Sequence, residues 1–109
     1  MKLLVVGSRS IKEFDLTGYI SEETDLIISG GAGGIDTIAE NYADRHRMSK
    51  LIMRPKYNLY GRAAPLKRNE KMVDIADSVL VIWDGKSKGT KYTADYALKM
   101  QKEVRVITV

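Results

Sequence analysis

Cysteine is absent from this 109-residue chain, so no disulfide framework, thiolate metal site or cysteine nucleophile is available and the fold must rest on packing. Histidine occurs once, at His46, too few imidazoles for a zinc site, and no metal is expected. No apolar run approaches the roughly 20 residues that span a bilayer. The opening run Leu3-Leu4-Val5-Val6 stops at Gly7, too short for a signal sequence and without a cleavage site. A cytoplasmic protein with no membrane partner is expected. The Walker ending Gly-Lys-Ser/Thr is also missing after the glycine-rich segment, so ATP hydrolysis of the P-loop type has no support. Linkers, repeats and low-complexity segments are lacking too, and residues 1–109 are expected to form one domain.

What the chain does have is apolar material, 44% of its residues, and a mildly basic balance of +4 that suits an anionic partner. Leu3-Leu4-Val5-Val6, Leu26-Ile27-Ile28 and Val79-Leu80-Val81-Ile82-Trp83 are unbroken runs of strand length, the pattern of strands covered on both faces. Lys50-Leu51-Ile52-Met53 is short and stops at Arg54-Pro55, and Val104 to Val109 alternates, so both suit sheet edges. Between them the period lengthens: Ile35, Ile38, Ala39, Tyr42 and Ala43 share one helical face. Met72, Ile75 and Ala76 do so in a helix opened by Pro65. Thr90 is placed to cap a further helix that buries Ala94, Ala97, Leu98 and Gln101. A short helix is expected in the first connection, Asp15 to Ile20. Strands alternating with helices predict an α/β, Rossmann-like, doubly wound parallel sheet of five strands, order 3-2-1-4-5.

In such sheets ligands bind beyond the carboxyl ends of the strands, where the order reverses, here between the first and fourth strands. Gly7, Ser8, Arg9 and Asp84 would form its walls. Alongside lies Ser29-Gly30-Gly31-Ala32-Gly33-Gly34-Ile35-Asp36, joining a buried strand to an amphipathic helix with four glycines in five positions. Backbone N–H groups there can approach an anion, aided by the helix dipole; a tight turn without a ligand is the plainer alternative. Asp36 suits either a helix cap or a ligand hydroxyl. Arg68 shares the sheet-facing side of its helix and should point into the crevice, or else snorkel over apolar surface. Gly89 and Thr90 offer a second helix amino end, with capping an equal explanation of Thr90. Arg9, Arg54, Lys56, Arg62, Lys86, Lys88 and Lys91 should make this edge electropositive. Tyr57 and Tyr60 stand before the third helix, to stack on a base or to pack their loop. Tyr92 and Tyr96 are i, i+4 neighbours expected to face outward and to cover a contact in a homodimer or higher oligomer.

The order Val6-Gly7-Ser8-Arg9, Ser29 to Asp36, Arg68-Asn69, Ala76-Asp77 and Gly89-Thr90 resembles the SLOG superfamily over nearly the whole chain. Gly61 followed by Arg68-Asn69 and Met72 is most similar to its small stand-alone, YspA-like members. That resemblance implies a Rossmann-like fold and binding of a nucleotide or nucleotide-derived ligand, with no separate cofactor. Ser29 to Asp36, Arg68-Asn69 and Thr93-Ala94 also resemble DprA (Smf), which implies single-stranded nucleic acid as a partner. Arg68, Met72, Ala76-Asp77 and Gly89-Thr90 resemble the Lonely Guy phosphoribohydrolases, which implies hydrolysis of an N-glycosidic bond. The glutamate that family places three residues after its Gly-Thr is Thr93 here, leaving Asp36, Asp84 and Arg68 as catalytic candidates.

Overall fold

A computed structural model describes all residues 1–109. Five strands form one parallel sheet in the order β3-β2-β1-β4-β5, with β1 at Lys2–Gly7, β2 at Leu26–Ser29, β3 at Ser49–Ile52, β4 at Ser78–Trp83 and β5 at Glu103–Thr108. β1 is central, level with β2 at Leu4 and Ile28 and with β4 at Val5 and Leu80. The expected fold class and strand order are those observed.

The unbroken apolar runs have their cause in two packed faces. Leu3, Val5, Ile27, Leu80 and Ile82 point to one side, against α1 (Ile35–Arg45). Leu4, Val6, Ile28, Val79 and Val81 point to the other, against α3 (Ala64–Ile75) and α4 (Lys88–Lys99). Side chains alternate across a strand, so a run with no polar member is required where both faces are covered. A single turn of helix, α2 (Tyr57–Tyr60), and a 3-10 turn at Gly61–Ala63 lead into α3. No helix is long and apolar enough to cross a membrane.

Three expectations about helices are corrected. The first connection holds no helix: Asp15 captures the Thr17 N–H at 2.9 Å, Gly18 has φ 88°, and the turn lays Leu16 into the core. In α3 the inward position is taken by Val73, and Ile75 is 38% exposed. In α4 the buried face is Thr90, Thr93, Ala94 and Ala97, whereas Leu98 and Gln101 are exposed. Leu98 lies beside the edge strand β5, beyond which no further element closes over it, and Gln101 is already past the helix end.

Both α1 and α4 end in the same way. The Met48 N–H reaches the Ala43 carbonyl at 2.8 Å and Lys102 reaches Ala97 at 3.0 Å, while Arg47 and Gln101 bond Asp44 and Leu98. This paired pattern puts one residue in the left-handed region, usually glycine. Here those residues are Arg47 (φ 54°) and Gln101 (φ 60°). A side chain in that conformation costs about 1–2 kcal/mol, part of which glycine's greater chain entropy offsets. Arg47→Gly and Gln101→Gly are each expected to stabilise the fold by about 0.5–1 kcal/mol, read as a rise in thermal midpoint; a fall in both would contradict the strained caps.

Candidate functional site

The carboxyl ends of β1, β2 and β4 open into a cleft of about 520 Å³ between the glycine loop, α3 and the amino end of α4. Its floor is Val6, Gly7 and Met72, and its rim includes Arg9, Arg54, Arg68, Pro55 and Tyr57. This is the strand-order reversal at which the sequence places a ligand. Among the lining residues the only carboxylate is Asp36, against three arginines. No cluster of three or more acidic or histidine side chains is placed to hold a metal ion.

The glycine loop is held open by charged side chains on its carbonyls and N–H groups. Arg68 donates through Nη1 to the carbonyls of Gly30 and of Met53, and through Nε to Asn69 Oδ1 at 2.6 Å. Arg54 donates to the Gly31 carbonyl at 3.1 Å. Asp36 turns back to accept from the Ala32 N–H at 3.1 Å, and Ser29 Oγ bonds Glu40 at 2.7 Å. The N–H groups of Gly31 and Ala32 are taken by Ser29 Oγ and Asp36, whereas those of Gly33 and Gly34, outside the cleft lining, find no backbone acceptor. Backbone and close approach both demand glycine at Gly31, with φ 66° and a Cβ position 2.8 Å from Ile52 Cγ2, and at Gly34, the residue capping α1, with φ 58° and a Cβ position 2.6 Å from the Arg9 backbone.

The second helix amino end is fixed from the opposite wall. Asp84 accepts from the N–H groups of Lys86 and Ser87, both at 2.8 Å, and from Ser10 Oγ at 2.7 Å. These bonds, led by that from Ser10, hold its carboxyl well below the usual carboxylate range. Ser8 Oγ accepts from the Asp84 N–H at 3.0 Å, tying the loop after β1 to the loop after β4. The turn then presents Ser87, whose Oγ accepts from the Thr90 N–H and lies 2.9 Å from Thr90 Oγ1. The cap of α4 is therefore Ser87, not Thr90, and Gly89 sits inside the first turn. Asp84 forms an Asx turn that sets Ser87 in the extended conformation a cap needs.

Of the residues singled out in the sequence, Gly7, Arg9, Gly30, Gly31, Ala32, Asp36, Arg68, Asn69, Gly89 and Thr90 line the cleft. Ser8, Ser29, Gly33, Gly34 and Asp84 do not; they shape the loops that do. Below the cleft Asn69 donates to Thr93 Oγ1 at 2.8 Å, and Thr93 donates to the Gly89 carbonyl at 2.9 Å. A chain of hydrogen bonds thus runs from Gly30 through Arg68, Asn69 and Thr93 to Gly89. Thr93 itself is fully buried and does not reach the cleft.

Asp36 is 5% exposed, and burial pushes its carboxyl above the ordinary value of 3.8 against the opposing pull of the Ala32 N–H and Arg68. It is not the cap of α1, which has no side-chain cap. Arg54, Ser87 and Pro55 were not singled out as site residues. Arg54 was legible as one of the basic edge residues, and Ser87 as a serine two residues before Gly89 after an Asp-Gly turn; nothing in the sequence marks Pro55. Lys56, Arg62, Lys86 and Lys88 are exposed outside the lining, and Lys91 pairs with Asp95 at 2.7 Å. Tyr92 faces outward as expected, 40% exposed with its hydroxyl on Glu70, but Tyr96 is corrected: it packs against the core, its hydroxyl bonding Asp74 at 2.8 Å. His46 is exposed and stacks on Tyr42.

Compared with protein-family models, with curated proteins and with solved structures, the chain has no significant match.

Proposed function

We propose that this cleft binds a nucleotide or nucleotide-derived phosphate ligand, the protein acting as a sensor or carrier of it. The observation that carries the reading is convergence. The amino ends of two helices, α1 and α4, and three arginines meet around one cleft in which Asp36 is the only acid. Helix amino ends and backbone N–H groups attract anions, and no acidic side chain of the protein neutralises Arg9, Arg54 or Arg68 by an ion pair. The motif order that resembles the SLOG superfamily supports the same ligand class.

Native mass spectrometry of freshly purified protein, followed by calorimetric titration of the stripped protein with nucleoside phosphates, tests it. A retained nucleotide-sized ligand or saturable binding is expected. A protein that carries nothing and binds none of them overturns the reading.

Hydrolysis at the N-glycosidic bond is a second reading, favoured by one observation: Asp36 lines the cleft with its carboxyl held above the usual range, as a general acid requires. Asp84, with its carboxylate stabilised in the charged form and engaged by the turn, is not suited to that role. Chromatography of the same incubations decides the matter. Free base above a heat-treated control, abolished in Asp36→Asn, assigns hydrolysis; no release removes it for those substrates.

A further inference from the structure

We propose that Tyr57 is the base-stacking wall of this cleft, so that the ligand is an aromatic nucleoside phosphate and not a sugar phosphate or a simple anion. The inference rests on the phosphate reading above and adds to it the part of the ligand that reading leaves open.

The two tyrosines of the Pro55–Ala63 segment are used differently. Tyr60 is committed within the protein: Lys71 Nζ lies 5.3 Å from its ring centroid and donates to its hydroxyl at 3.3 Å. Tyr57 is 61% exposed, its hydroxyl has no hydrogen-bond partner, and it lines the cleft. The ring lines the same cleft as Pro55, Pro65 and Arg68, the arginine that braces Gly30.

α2 buries none of its residues, so the Tyr57 ring is not committed to the core and is free to contact a ligand. What Tyr57 offers is a flat apolar face with few rotatable bonds, carried on one helical turn whose approach is stiffened by Pro55. Every nucleobase has a face that stacks on such a ring, whatever its hydrogen-bonding edge. The space agrees. At about 520 Å³ the cleft lies within the range of sites for whole small molecules, about 300–1,000 Å³. The glycine loop and the α4 amino end would take the phosphate, and Val6 and Met72 add apolar surface to the same cleft.

The test compares four nucleoside 5′-monophosphates with ribose 5-phosphate, by calorimetry, on the wild type, Tyr57→Phe and Tyr57→Ala. The wild type is expected to bind at least one nucleotide about ten-fold or more tightly than ribose 5-phosphate. Tyr57→Phe should keep that preference, because it keeps the face, and Tyr57→Ala should remove it without changing affinity for ribose 5-phosphate or the thermal midpoint. Equal affinity of the wild type for nucleotides and ribose 5-phosphate overturns the base subsite but leaves the phosphate reading intact. So does a preference that survives in Tyr57→Ala. Failure of every phosphate to bind overturns both.

Discussion

Gly89→Asp is expected to lower affinity for a phosphate ligand by at least about 100-fold while leaving the protein as stable as the wild type or slightly more so. Gly89 lies in the first turn of α4 and lines the cleft, and a Cβ built on it meets no atom within 4 Å. Its φ is not in the left-handed region, so the aspartate causes neither clash nor backbone strain. Helix propensity favours the change, and a carboxylate in the first turn suits the dipole, each by a few tenths of a kcal/mol to about 1 kcal/mol. In the cleft the same carboxylate opposes an anion: two unit charges about 5 Å apart at an effective dielectric of about 20 repel by about 3 kcal/mol. Gly89→Asn supplies the bulk without the charge and should lose much less. The two signs make the prediction specific, because general damage to the fold would lower stability and binding together. Calorimetry and thermal unfolding of the three proteins check it; unchanged affinity in Gly89→Asp would remove the α4 amino end from the site.

Arg68→Ala should cost about 3 kcal/mol of stability and abolish binding, and the stability loss should depend on pH. Removing the guanidinium leaves the carbonyls of Gly30 and Met53 and the Asn69 side chain without their donor, each bond to a charged group being worth about 1.5–3 kcal/mol. Lysine is no substitute, because a point charge cannot serve three acceptors in a planar fork. The pH dependence comes from Asp36. Its carboxyl in the folded protein is held above 3.8 by burial, and Arg68 is one of the groups that limit the rise. The native state therefore binds a proton more readily than the unfolded chain, and stability falls as pH climbs from the ordinary value through the raised one, then levels. Without Arg68 the raised value moves higher and the fall extends further. The deficit of Arg68→Ala should accordingly be smaller near pH 4 than near pH 7 in denaturant titrations, at about those two values. Asp36→Asn keeps an acceptor for the Ala32 N–H and carries no charge, so adding it to Arg68→Ala should restore part of the stability at neutral pH. A deficit that is the same at both pH values, with no rescue, would show that Asp36 and Arg68 are not coupled.

Sheet, strand order and the position of the cleft were all legible in the sequence. Residues 3–6, 26–28 and 79–83 are apolar without interruption, which only strands covered on both faces require, and the weaker runs could then go only to the edges. The helices were less legible, because burial depends on what stands opposite. Leu98 is as apolar as any core residue, yet its face of α4 lies at an open sheet edge; Val73 looks no different from Ile75, and only packing on β1 and β4 separates them. Tyr96 looks outward in the sequence for the same reason, since α3 is not yet placed beside α4.

The glycine loop shows the division most clearly. Composition alone determined that Ser29 to Asp36 is a strand-to-helix loop with a bare backbone, because glycine carries no side chain to cover it. Only tertiary structure decided what surrounds it. Arg68, 38 residues after Gly30, and Arg54, 23 after Gly31, hold its carbonyls, and Asp84 and Ser87 aim a second helix end across from it. Local chemistry can be read from neighbours along the chain, whereas charges that meet across a sheet depend on where each strand ends, and that is settled when the two apolar faces pack.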